Sequence, residues 1–250
     1  MALMIEKLLG LAMVLTRISA FFLVVPVFGW VSIPARIKVT IALLLSIFFS
    51  MVTPMPFDAG QVSILKAILL LSNEAIYGLA LGLIVAVVFA AVKLSARMIE
   101  REIGFAMAEI LDPLTGETTQ PLSSLLEMIF VILFLSANGH HLLLLIISKS
   151  YDSFPAGSIP TIPILTGGII QAGSAMLVAG LKLAAPIMAA FLILMVILAI
   201  LARIVPEMNI LFISLPMRVG LGFVMVLIFL PFFNSYISEF ADLMNKLLPI

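Results

Sequence analysis

The stretch TGGIIQAGSAMLVAGLKLAAPIMAAFLILMVILAILA, from Thr166 to Ala202, holds one charged residue, Lys182. Roughly 20 apolar residues carry a helix across the ~30 Å hydrocarbon core of a bilayer. At about 1.5 Å per residue this stretch is too long for one perpendicular crossing. Lys182 and Pro186 near its middle predict a bent helix or a hairpin. A water-soluble surface cannot be made from such sequence.

Working outward, runs free of Asp, Glu, Lys and Arg mark the other candidate spans: Ile18–Ala35, Val39–Phe57, Ala75–Val92, Met128–Ser148, Ser153–Leu181, Leu183–Ala202 and Val219–Ser238. Six or seven segments qualify. The expected fold is all-α, a polytopic helical membrane protein with about six hydrophobic segments. No soluble domain fits between them, so residues 1–250 are expected to form one integral membrane domain. Composition agrees: 64% hydrophobic and 10% charged, where a soluble domain carries about a quarter charged residues. The start, MALMIEKLLGLAMVLTRISAFFLVVP, resembles a signal peptide. Glu6 and Arg17 interrupt it and no small-x-small cleavage site follows, so it is expected to be a retained first helix.

Turn chemistry separates the spans. TPMPFDAG (Thr53–Gly60), SYDSFPAGSIPTIP (Ser150–Pro163) and PEMN (Pro206–Asn209) supply the Pro and Gly that end helices. With six spans, alternate loops place Arg36, Lys38, Lys93, Arg97, Arg101, Arg203 and Arg218 on one side. Lys7, Lys66, Lys149 and Lys246 fall on the other, and the positive-inside rule then puts both termini outside. One further span between Thr166 and Ala202 reverses the later part.

Several classes of function are disfavoured. Formal charge is zero, which gives no reason for nucleic-acid binding. Without Cys there are no disulfides or thiolate metal sites, and the redox compartment is unreadable. His140 and His141 in NGHH (Asn138–His141) point about 100° apart on a helix and cannot easily chelate one ion. They are expected at a polar turn or helix end. No GxSxG occurs, and Asp58, Asp112, Asp152 and Asp242 lie in breaks or near the end. An enzyme is therefore not expected, nor any metal or cofactor.

Charges inside spans are more telling, because a lone ion in hydrocarbon costs several kcal/mol unless paired or wetted. Arg17, Glu74, Glu127 and Lys182 are the candidates. Arg17 and Glu127 either reach the headgroups or find partners. Lys182 is expected to face a protein partner or a water-filled cavity. Gly78–Gly82 is a GxxxG pair, and GGIIQAGSAMLVAG (Gly167–Gly180) is rich in small residues; both suit close helix packing.

EREIGFAMAEILDPLTGETTQP, from Glu100 to Pro121, gathers Glu100, Arg101, Glu102, Glu109, Asp112 and Glu117 in one place. DPLTG has turn chemistry. Irregular backbone at membrane depth is tolerated only where protein buries it or water bathes it. Either this segment borders an aqueous conduit or it is an ordinary solvated loop between two spans.

RISAFFLVVPVFGWVSIPARIK (Arg17–Lys38), GFAMAEILDPLTG (Gly104–Gly116), NGHH, SFPAG, LKLAAPIMAAFLI (Leu181–Ile193) and LARIVPEMNILFISLPMRVGLG (Leu201–Gly222) follow one another in this order. In that order and spacing they resemble the FliR family, flagellar biosynthetic proteins of the type III export gate, and its injectisome counterpart. The resemblance covers essentially the whole chain, and NGHH looks more like the flagellar branch. It implies a non-enzymatic subunit in the bacterial inner membrane, within the flagellar basal body. It implies P-type and Q-type gate subunits and a B-type switch protein as partners, with unfolded flagellar proteins in transit. The chain would resemble a P-type unit joined to a Q-type unit.

The resemblance also implies roles for residues. The segment matching Gly104–Pro121 would plug the channel, through Gly104, Phe105, Met107, Glu109, Leu111, Asp112, Pro113, Gly116 and Glu117. Arg17, Pro26, Gly29, Pro34, Asn138, Gly139, His140, Pro155, Lys182, Pro186, Arg203, Pro206 and Asn209 would serve assembly and helix breaks. Glu207 stands where the family often has glutamine, which puts a hydrogen-bonding role there in doubt. A small-solute transporter is the alternative, drawing on Lys182, Glu74 and the Gly- and Pro-broken helices.

Overall fold

A computed structural model describes residues 2–29, 33–52, 63–104, 121–158, 162–207, 209–231 and 235–239. Its helices are α1 (Ala2–Val24), α2 (Pro26–Gly29), α3 (Ala35–Val52), α4 (Ile64–Ile103), α5 (Pro121–Ser136), α6 (Gly139–Ser153), α7 (Ile162–Ile204) and α8 (Ile210–Phe229). Among the described residues, five helices are long and apolar enough to cross a membrane, or six if the broken pair α5 and α6 counts as one span. The chain is an all-α polytopic membrane protein. Hydrocarbon offers backbone groups no partner, so spanning segments must satisfy their own hydrogen bonds as helices. Polar side chains follow the same rule: Thr16, Ser46 and Ser95 hydroxyls donate to the carbonyls of Ala12, Ala42 and Val92, one turn back in their own helices.

The chain divides into two compact units. One takes the stretch up to Phe89 and Asn138–Ser174; the other takes Ala90–Ala137 and Ala175–Glu239. In the first unit α1 packs against α3 and α4. The Gly78–Gly82 pair sets how closely α1 and α4 approach. A Cβ on Gly78 would fall 2.3 Å from the Arg17 carbonyl oxygen, and one on Gly82 would fall 2.9 Å from that of Phe21. Only glycine allows that approach. Large apolar side chains such as Leu23, Met51, Ile64 and Phe212 lie mostly exposed, as lipid-facing or subunit-facing surface must.

Several span boundaries read from charge alone are corrected. Met128–Ser148 is divided by a 73° break between α5 and α6, and the helix expected at Val219–Ser238 runs Ile210–Phe229. The first charge-free run begins at Ile18, whereas α1 begins at Ala2 and ends at Val24. The third begins at Ala75 and stops at Val92, whereas α4 runs unbroken from Ile64 to Ile103. The charges that bounded these runs are paired: Arg17 with Glu74, and Lys93 with Glu127 at 3.1 Å. A neutralised charge need not mark a membrane boundary.

The hairpin alternative for Thr166–Ala202 is also overturned, because α7 is one helix with Pro186 inside it. Proline removes one N–H, whereas a break would leave four N–H and four C=O groups without partners. In apolar surroundings the single loss is the lesser one. Neither Lys182 nor Pro186 therefore breaks the helix, and Pro216 likewise lies within α8.

Candidate functional site

The most strongly built site lies in the first unit and centres on two buried ions. Arg17 of α1 is 2% exposed and Glu74 of α4 is 1% exposed. The Arg17 Nε donates to Glu74 Oε2 at 2.6 Å. Its Nη1 donates to the Phe154 carbonyl at 3.0 Å, and at longer range to the carbonyl and hydroxyl oxygens of Ser150. The guanidinium lies over two rings, 4.6 Å from the Tyr77 centroid and 4.2 Å from that of Tyr151. Cation–π contact is strongest where, as here, the cation has lost its water.

Glu74 uses its second oxygen to hold a turn. Pro155 to Ser158 form a β-turn closed by the Ser158 N–H donating to the Pro155 carbonyl at 3.0 Å. Its third residue, Gly157, has φ 86, the left-handed value that a type II turn places there and that glycine adopts without strain. That conformation aims the Gly157 N–H at Glu74 Oε1, 2.8 Å away. Beside it, the Asn73 amide donates to the Ser158 carbonyl at 2.7 Å. Tyr77 packs on Phe154, and Tyr151 on Phe49 of α3. The cage thus joins α1, α3, α4, α6 and the turn. Two polar atoms are left over: the buried Tyr151 hydroxyl and the Ser158 hydroxyl have no hydrogen-bond partner among the described residues.

A second buried carboxylate lies in the other unit. Glu100 of α4 accepts hydrogen bonds from the N–H groups of Leu122 and Ser123, at 3.3 and 3.2 Å, and from the Ser123 hydroxyl. The first turn of α5 contains no acid of its own. Glu100 satisfies its orphan donors from a different helix and places negative charge at the positive end of the helix dipole. Four residues beyond Glu100, Gly104 ends α4 with φ 97. Glu100 therefore ties together the two flanks of the acid-bearing segment.

The other residues singled out from the sequence are dispersed. Phe105, Met107, Glu109, Leu111, Asp112, Pro113, Gly116 and Glu117 lie outside the described residues. Pro26 opens α2 and Gly29 ends it, while Pro34 precedes α3. Asn138 takes a left-handed conformation (φ 61) between α5 and α6, with Gly139 and His140 opening α6. Arg203 lies in the last turn of α7, where a cation favours the helix dipole. Pro206 and Asn209 lie between α7 and α8. Among the described residues no group of three His, Asp or Glu side chains could hold a metal ion. Lys182 and Pro186 border a cavity of about 290 Å³ in the second unit, with Glu239 4.0 Å from Lys182. Beside them, burial pushes the Tyr236 hydroxyl above the ordinary phenol range, with Glu239 adding to the rise.

Tyr77, Tyr151, Glu100 and Ser123 carried no sequence signal for these roles. Glu74 and Arg17 did carry one. Each is an ion within an apolar helix, and two such ions of opposite sign are candidates to neutralise each other.

The model of the family described as bacterial export proteins, family 1, matches residues 8–244. The chain is 30% identical over 224 residues to the flagellar biosynthetic protein FliR of Bacillus subtilis (strain 168), covering 86% of this chain and 84% of the relative. It is 27% identical over 237 residues to the protein of that name from Pectobacterium carotovorum subsp. carotovorum, covering 93% and 90%. Against the one from Escherichia coli (strain K12) the identity is 26% over 237 residues, covering 94% and 90%.

Proposed function

The chain belongs to the FliR family, bacterial export proteins family 1, and on that premise we propose that it is a structural channel subunit that helps form and plug the flagellar export gate. The coarser statement is direct: it is a multi-pass inner-membrane component of the flagellar type III export apparatus. The finer reading concerns the pore. Unfolded flagellar subunits pass through a conduit to which this chain contributes helices, and Gly104–Pro121 obstructs it at rest.

The observation that carries this reading is the extent of the family match. It runs from residue 8 to residue 244 and includes the acid-bearing segment. The Glu100 contacts support it, since a plug must be anchored at both ends to block anything. The proposed partners are P-type and Q-type gate subunits and a B-type switch protein. Extensive exposed apolar side chains on α3, α7 and α8 give such subunits surface to cover.

Deleting Leu111–Thr119 tests the plug. The expected result is a complex that assembles to normal levels but conducts ions across the inner membrane in the absence of export. A deletion strain that stays electrically tight and exports normally overturns it. Purification in mild detergent tests the partners: other small membrane subunits are expected to accompany the chain, and a stable solitary monomer would contradict them.

A further inference from the structure

Helix α5 begins with Pro121, a residue that favours the first helical position and has no N–H to offer. Its first donors are therefore the N–H groups of Leu122 and Ser123, the second and third helical residues. An N-cap side chain normally accepts from these positions, and Ser, Thr, Asp and Asn serve best. Position 120, where that side chain would stand, is Gln. Both donors go instead to Glu100, one to each carboxylate oxygen, at 3.3 and 3.2 Å. The Ser123 hydroxyl donates to Glu100 as well. The cap of α5 thus comes from another helix.

The α4 side of this contact is held firmly. Ile103, in the last turn of α4, is wholly buried and lies against Gly222 of α8, where a Cβ would have no room. Arg218 of α8 directs Nη1 towards the Glu102 carbonyl, 3.5 Å away, a cation at the negative end of the α4 dipole. The Gly104 N–H closes the helix on the Arg101 carbonyl at 3.2 Å, and φ 97 turns the chain out of it. Glu100 itself is 5% exposed, and among the described residues no cation pairs with it. Its charge is offset by the donors and dipole of α5. Drawing α5 away would leave a buried carboxylate without donors, which is costly.

We propose that Glu100 is a positioning residue of the gate, a clasp that holds the two roots of the plug segment together and keeps the resting gate tight. The proposal rests on the plug reading. A cap supplied locally, at position 120, would satisfy the same donors and leave the two roots independent. A cap supplied from α4 makes the pairing of those donors conditional on the roots being together. A plug that swings out with its second root must first give up the clasp.

The test uses the full chain in its assembled gate complex. Glu100→Ala removes the clasp, and ion conductance in the absence of export should rise about tenfold, the scale of one hydrogen bond to a charged group. Adding Gln120→Asp to that variant supplies a local cap to Leu122 and Ser123. The double variant is expected to assemble to the natural level and still leak. Tightness restored by Gln120→Asp overturns the proposal, because Glu100 would then serve only the folding of α5. A tight Glu100→Ala complex overturns it as well. A second measurement needs no plug. The chain has no Cys, so Arg101→Cys and Ser124→Cys, both at exposed positions, place one spin label on each root. In the double variant the distance between labels should lengthen and broaden; an unchanged distance overturns the clasp. Labels that separate while the Leu111–Thr119 deletion stays tight would sink the plug reading alone. Unchanged labels beside a leaky deletion would sink the clasp alone.

Discussion

Arg17–Glu74 and Lys182–Glu239 are both ion pairs in helices that read as apolar, and they are opposites. The first is 2.6 Å long with both side chains almost wholly buried; the second is 4.0 Å long with both mostly exposed. In the first, two carbonyls, a turn N–H and two aromatic faces complete the coordination from within the same unit. In the second, the charges turn away from it. A charged residue in an apolar tract is therefore not one signal. Where the chain supplies every partner, the charge holds helices together; where it does not, the charge faces lipid headgroups, water or another subunit.

The largest expected effect comes from breaking the closed pair. Glu74→Leu leaves the Arg17 guanidinium buried without its counter-ion and the Gly157 N–H without its acceptor. Removing one partner of a buried pair costs about 3–5 kcal/mol, so the accumulated protein should fall sharply and the unfolding midpoint in detergent should drop. Replacing both ions, Arg17→Leu with Glu74→Leu, should recover most of the loss, because well-packed apolar pairs often match buried ion pairs in stability. The double variant still leaves the Phe154 carbonyl and the Gly157 N–H without partners, at about 1–3 kcal/mol each, so recovery should be incomplete. A double variant no better than Glu74→Leu would mean that shape, not charge, holds the cage.

The same contrast explains how far the sequence was legible. Helical class and membrane location follow from apolar runs alone, because hydrocarbon leaves the backbone no alternative to a helix. Boundaries did not follow. Counting every charge as an interruption started the first helix at Ile18 and the third at Ala75, when Arg17 and Glu74 neutralise each other across 57 positions of chain. Pairing between distant residues has no local signature. Proline misled in the same way at Pro186, where local propensity gave way to the cost of unpaired backbone. The Gly78–Gly82 pair was legible because close helix approach has a short-range pattern. At the candidate site, the ions were visible as anomalies, but the aromatic walls were not. Tyr77 and Tyr151 look like any other residues of apolar helices until the fold brings Arg17 between them.

A smaller effect separates the turn from the ions it serves. Gly157→Ala keeps every charge but places a Cβ in the left-handed region, costing about 1–2 kcal/mol and weakening the N–H contact to Glu74. Gly173→Ala is the control. That glycine is helical with nothing within 4 Å of where its Cβ would lie, so alanine should be neutral or stabilise by up to about 1 kcal/mol. Unfolding midpoints of the two variants should therefore move in opposite directions, or only that of Gly157→Ala should move. Equal shifts would mean that the turn is not held by its geometry.

The smallest effect is expected at the open pair. Exposed ion pairs contribute about 0–1 kcal/mol, and Lys182 and Glu239 are separated by 4.0 Å and lie mostly outside the protein interior. In detergent without added lipid, Lys182→Met should leave the unfolding midpoint close to that of the natural chain. The methionine keeps the length of the lysine stem, so packing against the cavity wall changes little. A loss comparable to that of Glu74→Leu would show that the pair closes in solution and belongs to the same class as the cage. A null result in detergent combined with a clear loss of assembled complex in the cell would locate the partner of these charges outside the chain.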